Sequence, residues 1–155
     1  MSVQRRHLPW SADEAAALVL DWSRDGEWRA AVRRMAVDPA GPAQVGQRIT
    51  EELRFGGRTV VTPTTITAVD GRSAAFAGGG AGVVVEGRRT VVPEPDGGCS
   101  VVLEVDVRTT GVLAVLNPVL APVYRRRLAS EADALAALAQ ATSSTARSAE
   151  PTSRA

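Results

Sequence analysis

Lysine is missing from this chain: all 18 of its basic residues are arginine, set against 17 acidic ones. With so much alanine and valine beside it, this bias is what a GC-rich coding sequence produces, and it excludes nothing mechanistic. The resulting charge of +1 gives no ground for expecting a nucleic-acid partner or an acidic-surface partner. Aromatic residues make up only 4% of the chain, too few for a base-stacking surface. A single cysteine, Cys99, excludes an internal disulfide and cannot by itself build a thiolate zinc site, so no metal is expected. The only histidine, His7, lies near the start, and a Cys99–His7 catalytic pair finds no support in the spacing. Long apolar runs are absent too. Asp13, Glu14 and Asp21 bracket the only apolar run near the start, and nothing approaches the roughly 20 apolar residues of a bilayer span. The expectation is a cytoplasmic protein with no transmembrane segment and no cofactor, and with nothing to indicate its oligomeric state.

What is present is best read from the end backwards. From Tyr124 onward, Leu128, Ala132, Leu135 and Leu138 or Ala139 recur at spacings of three and four, the period of a one-sided α-helix. Asn117-Pro118 is a good start signal, because proline at the first helical position gives up an N–H that has no partner there anyway. Pro122 lacks an N–H for the carbonyl of Pro118, which predicts a kink or a fresh start near Ala121 and Pro122. The apolar stretch 112–116 then reads as a lead-in packed near one end of a sheet. Either the prolines merely shape the chain there, or the segment is a movable flap.

Before this helix the chain is mostly strand and turn. Residues 3–8 suggest a short first strand ended by Pro9-Trp10. Ser11 and Glu14 form a capping box for a helix with Ala15, Leu18, Val19 and Trp22 on one face. A second short helix or turn follows over 21–28, stopped by Gly26, then a strand over 29–37 and a loop at 39–42. From Val45 the period becomes two. Strands are expected at 45–55, 60–69, 73–77, 83–94 and 99–110, with turns at Gly56-Gly57, Asp70-Gly71 and 95–98. Pro63 predicts an edge position or a bulge in its strand. The glycines from Gly78 to Gly82 read as a flexible corner, and with no helix start after them they do not make a phosphate cradle. In the last strand Val101, Leu103, Val105 and Val107 alternate inward, with Glu104, Asp106 and Arg108 outward. Residues 142–155 are small and polar, so the domain is expected to end at 141 and the tail to be disordered.

With Asp21 to Trp28, Val45-Gly46, Gly97-Gly98 before a strand, Gly111 at that strand's end and Tyr124-Arg-Arg-Arg-Leu opening the last helix, the chain resembles the START-like superfamily, also called SRPBCC. It looks most like the polyketide cyclase/dehydrase and lipid-transport branch, over residues 3–141. The resemblance implies an α+β helix-grip fold: a curved antiparallel β-sheet wrapped around a long C-terminal α-helix, with two short helices after the first strand. It also implies an apolar cavity between sheet and helix that takes a hydrophobic small molecule, such as a lipid or a polyketide-like compound. The chain departs from the family at 7–10, where many relatives carry an Ile-x-Ala-Pro strand end.

Candidates for the cavity lining are Trp28, Glu51, Leu53, Phe55, Phe76, Arg89, Leu103, Leu120 and Tyr124. If Ile49, Leu53 and Phe55 face the helix, alternation turns Glu51 inward with them, and Val83, Val85 and Val91 carry Arg89 inward. A buried carboxylate or guanidinium needs a partner, so the two would pair with each other or orient a ligand. A one-residue bulge in either strand would instead return that side chain to water. Arg125 to Arg127, with Glu131 and Asp133, read as a solvated helix face. Three functions fit: a carrier or sensor of an apolar molecule, a polyketide cyclase or dehydratase using Glu51 with Arg89 or Tyr124, or a non-catalytic interaction protein with a closed cavity. The last would show no void of the roughly 300 Å³ usual for ligand pockets.

Overall fold

The computed structural model describes residues 1–149, apart from the side chains of Phe55 and Ala149. Strand β1 (Ser2–Leu8) is followed by α1 (Ala12–Val19) and a 3-10 helix (Trp22–Glu27). Then come β2 (Val32–Asp38), β3 (Arg48–Phe55), β4 (Arg58–Asp70), β5 (Ser73–Gly80), β6 (Val83–Pro93) and β7 (Cys99–Thr109). A second 3-10 helix (Gly111–Leu116) leads directly into α2 (Asn117–Ala149). The strands form one seven-stranded antiparallel sheet in the order β1-β7-β6-β5-β4-β3-β2, so hairpin follows hairpin and the first strand closes on the last. This is the helix-grip arrangement, a curved sheet with the long helix on its concave side.

Local chemistry explains the helices. The Ser11 hydroxyl accepts the Glu14 N–H at 3.2 Å while the Glu14 carboxylate accepts the Ser11 N–H at 2.9 Å, completing the capping box. Helix α1 ends at Val19, earlier than the periodicity suggests, and Trp22 belongs to the 3-10 helix, which runs past Gly26 to Glu27. Ala15, Leu18 and Val19 are buried where α1 lies on β6 and β7. On α2 the buried stripe is Leu128, Ala132, Leu135 and Ala139, seated on β1 and β7, with Leu138 half-buried beside it.

Several expectations are corrected. Of the kink or fresh start expected at Pro122, the fresh start does not occur, because α2 runs from Asn117 through Pro122. The carbonyl it deprives of a partner belongs to exposed Pro118 in the first turn, where water can take the bond. Pro63 is not on an edge strand, and the bulge of β4 lies between Ile66 and Ala68 instead. Pairing with β5 begins only at Thr64, however, so at Pro63 the strand has β3 alone as neighbour. Gly78, Gly79 and Gly80 belong to β5, and the corner is the two-residue turn Ala81-Gly82. A Cβ on Gly78 would come within 2.2 Å of the Pro63 carbonyl oxygen, so the glycine permits a close strand approach. Strand β2 starts three residues later than expected, releasing Arg29 from the ladder. Residues 142–149 continue α2, where the hydroxyls of Thr142, Thr145 and Ser148 bond carbonyls one turn back and Thr142 accepts the Trp10 indole N–H at 3.0 Å. The remainder of the expected tail, 150–155, lies outside the described residues.

The direction of the strands fixes two ends. The Gly56-Gly57 and Ala81-Gly82 turns, the end of β7 and the start of α2 lie at one end, and α1 with the Gly71 and 95–98 turns at the other.

Candidate functional site

Between the concave face and α2 lies a chamber of about 260 Å³. Its walls follow the period-two pattern strand by strand: Glu51 and Leu53 on β3, Thr62 and Thr64 on β4, Val83 and Val85 on β6, and Leu103, Val105 and Val107 on β7. No bulge interrupts the β3–β4 or β6–β7 register, which is why Glu51 and Arg89 both stay on the concave face. Val105 and Val107 are only half-buried because they face a void instead of packed side chains. Lining residues near the turns (Val60, Val61, Gly80, Ala81) are exposed, whereas Trp22, Trp28, Arg89, Leu103 and Leu128 are buried. The mouth is therefore at the turn end.

The inner part holds a network of three arginines and three carboxylates. Asp25, fully buried, accepts from Arg89 Nη1 at 2.7 Å and Nη2 at 2.6 Å, and from Arg29 Nη1 at 2.7 Å. Arg89 also donates to the Val19 carbonyl at 2.9 Å. Arg29 continues to Glu51 at 2.6 Å, and its Nε stands 3.0 Å from Glu131 Oε2 at ion-pair distance without hydrogen-bond alignment. Arg127 bonds Glu131 at 3.1 Å and lies 3.9 Å from Glu51. The formal charges sum to zero, which is what makes six ionic groups tolerable in a shielded place.

Burial opposes charge on Asp25, yet Arg89 and then Arg29 outweigh it and hold the carboxyl below its ordinary value. Burial likewise opposes charge on Arg29, and Glu51, Glu131 and Asp25 overcome it, keeping the guanidinium firmly protonated. Aromatic faces complete the enclosure. The Arg89 guanidinium carbon sits 4.1 Å from the Trp22 ring centre and 5.3 Å from that of Trp28, and Trp22 meets Phe76 edge-on at 5.8 Å.

Trp28, Glu51, Leu53, Phe76, Arg89, Leu103 and Tyr124 all come together on the chamber. Leu120 does not reach it: it shares the Tyr124 stripe but sits half-buried in the first turn of α2, short of the lining. The side chain of Phe55 lies outside the described residues. Glu51 and Arg89 do not pair directly and are bridged through Arg29 and Asp25. Of the supposed solvated face, Arg125 and Arg126 are exposed, but Arg127 and Glu131 turn into the chamber. Sequence reasoning missed Asp25, Arg29, Arg127 and Glu131 as site residues. The available signal was the partner that an inward Arg89 must have, together with an aspartate set between two tryptophans. His7 is 3.3 Å from Asp96 and Cys99 is buried in β7, so neither lines the chamber.

The family model for polyketide cyclase/dehydrase and lipid transport matches residues 2–140. The chain belongs to that family. Among solved structures, a protein from Thermus thermophilus superposes with a TM-score of 0.74 at 17% identity, covering 92% of this chain and 98% of its own. A START superfamily protein from Mycobacterium smegmatis gives 0.74 at 14% identity, with 90% and 97% covered. The Zhui aromatase/cyclase from Streptomyces sp. R1128 gives 0.74 at 14%, with 89% and 92% covered. At such identities the likeness concerns the fold alone. Comparison with curated proteins gave no significant match. What the polyketide cyclase/dehydrase and lipid-transport family shares with this chain is thus a helix-grip shell. The charge network inside it is read from this chain's own residues.

Proposed function

We propose that this protein binds an apolar small molecule carrying one polar group, with the apolar body between the valine and leucine walls and the polar group toward Arg29, Glu51, Arg127 and Glu131. The observation that carries the reading is the continuity of an apolar wall with a charge-balanced polar end in one chamber. Its volume, about 260 Å³, falls just under the roughly 300 Å³ of pockets for drug-sized ligands, so size alone would favour a closed interaction module. The open mouth and the two-part lining favour a ligand instead. Burying apolar ligand surface contributes about 25 cal/mol per Å², and the polar end sets orientation. Titration with an environment-sensitive apolar fluorophore tests this. Saturable binding, displaced by lipid or polyketide-like compounds, is expected, and no saturable signal would refute it.

A second reading, cyclase or dehydratase, is favoured by the position of Glu51 and Tyr124 on the same chamber and by the aromatase/cyclase among the similar structures. Such a reaction needs a proton acceptor and a donor to the developing oxyanion. Glu51 is already engaged, bonded by Arg29 at 2.6 Å and 3.9 Å from Arg127. Turnover of a poly-β-ketone that Glu51→Gln abolishes while apolar probe binding persists would establish this reading. Absence of turnover leaves binding as the function.

A further inference from the structure

Apolar side chains ring the mouth of the chamber and point outward. Val112 is 92% exposed, Val115 77% and Val119 69%, and Leu113, Leu116, Val123, Val60 and Val61 are exposed beside them. A soluble monomer seldom shows so continuous an apolar patch without a use for it. The segment 112–116 lies at one end of the sheet as expected, with its valines turned away from it, and the backbone shows why. Asn117 clamps Thr109, its Oδ1 accepting the Thr109 N–H at 2.8 Å and its Nδ2 donating to the Thr109 carbonyl at 3.0 Å. The Thr109 hydroxyl bonds the Leu113 carbonyl at 2.6 Å, and the Thr110 N–H reaches the Gly82 carbonyl at 2.7 Å. The segment is fastened to the Ala81-Gly82 turn by its backbone, and the valines are held out from it.

Two stretches at this end carry charge of one sign, while the nearby acids Glu86 and Asp106 on β6 and β7 are engaged by Arg108. Residues 54–69 and 109–130, which include the Gly56-Gly57 turn, the 3-10 helix and the start of α2, contain no aspartate or glutamate. They do contain Arg54, Arg58, Arg125 and Arg126, all exposed and, among the described residues, without an acidic partner. Val119, Val123 and Arg126, at steps of four and three, share one exposed face of α2. Other surface arginines have partners: Arg108 pairs with Glu86 and Asp106, Arg72 with Asp13 and Arg5 with Glu94. Apolar residues ahead of unpaired cations on one surface make an amphipathic element fitted to an anionic lipid interface.

We propose that the mouth end docks on an anionic membrane surface, with Val112, Val115 and Val119 entering the headgroup boundary and the four arginines meeting lipid phosphates. Among the described residues no helix is long and apolar enough to cross a membrane, so the contact is peripheral and reversible. Because Val60 and Val61 belong both to the patch and to the chamber lining, an apolar ligand could pass between bilayer and chamber without crossing water. That last step rests on the ligand-binding reading, whereas docking itself does not.

Co-sedimentation with phosphatidylcholine vesicles, with and without about a third phosphatidylglycerol, tests the docking. Wild type should bind the anionic vesicles at low salt and release at high salt. Val112→Glu with Val115→Glu should weaken binding at least about tenfold, and Arg125→Gln and Arg126→Gln about fivefold each. A fluorophore on Val115→Cys, Cys99 being buried, should shift to the blue on vesicles. Melting temperature and apolar-probe binding of these variants should match wild type, which separates failure of docking from failure of the chamber. No sedimentation of wild type with anionic vesicles, or binding indifferent to the valine substitutions, would overturn the proposal. So would a solution dimer broken by Val115→Glu in a protein that ignores vesicles, since that result assigns the face to a second copy.

Discussion

Arg89 and Asp25 form a two-pronged ion pair across 64 residues of sequence, with bonds of 2.7 and 2.6 Å and with Asp25 fully buried. The pair ties β6 to the short 3-10 helix, which is otherwise anchored by buried Trp22 against Phe76. Removing one partner leaves two buried guanidinium groups facing a neutral neighbour. Asp25→Asn should therefore destabilise the fold by about 3–5 kcal/mol, measured by urea unfolding. A loss within experimental error would mean that the 3-10 helix is held by its tryptophans alone.

The same carboxylate sets an acid limit. Its pKa is lowered on folding, so its contribution to stability is complete above the ordinary 3.8 and is lost as pH falls through the lower folded value. Arg29, whose pKa is raised, stays charged throughout, so acid opens the network only from the carboxylate side. The stability difference between wild type and Asp25→Asn should be constant near neutrality and should shrink below pH 3.8. A gap that persists into strong acid would contradict the assignment.

Phe76 packs over a strand glycine. A Cβ on Gly87 would lie 2.7 Å from Phe76 Cζ and 2.3 Å from the Glu104 carbonyl oxygen. Gly87→Ala should cost about 1–3 kcal/mol through overpacking and should disturb the Trp22–Phe76 contact, visible in near-ultraviolet circular dichroism. An unchanged spectrum and melting point would show that the sheet absorbs the methyl group.

The legible part of this chain was the part governed by period. The β7 alternation placed Leu103, Val105 and Val107 on the concave face, and the same logic offered Glu51 and Arg89 as inward candidates but left a bulge in either strand as the alternative. The α2 stripe through Leu128, Ala132 and Leu135 was equally plain. Asp25 and Arg29 were not legible, because the 3-10 helix and the loop after it have no long repeat to fix a direction. Arg127 and Glu131 were misassigned for a different reason: a charged helix face is usually wet, and only a charged cluster opposite turns it inward. The outward valines of 112–116 follow from the Thr109–Asn117 clamp, a contact between two elements that composition does not announce.

The most direct test of the chamber as a binding site is a non-denaturing mass spectrum of protein purified from its own host, run beside a Val105→Trp variant whose indole would fill the void. Wild type should carry a discrete hydrophobic adduct that solvent extraction releases, and the variant, if folded by circular dichroism, should carry none. Adduct-free wild type across several growth conditions, or equal adducts in both proteins, would contradict the account.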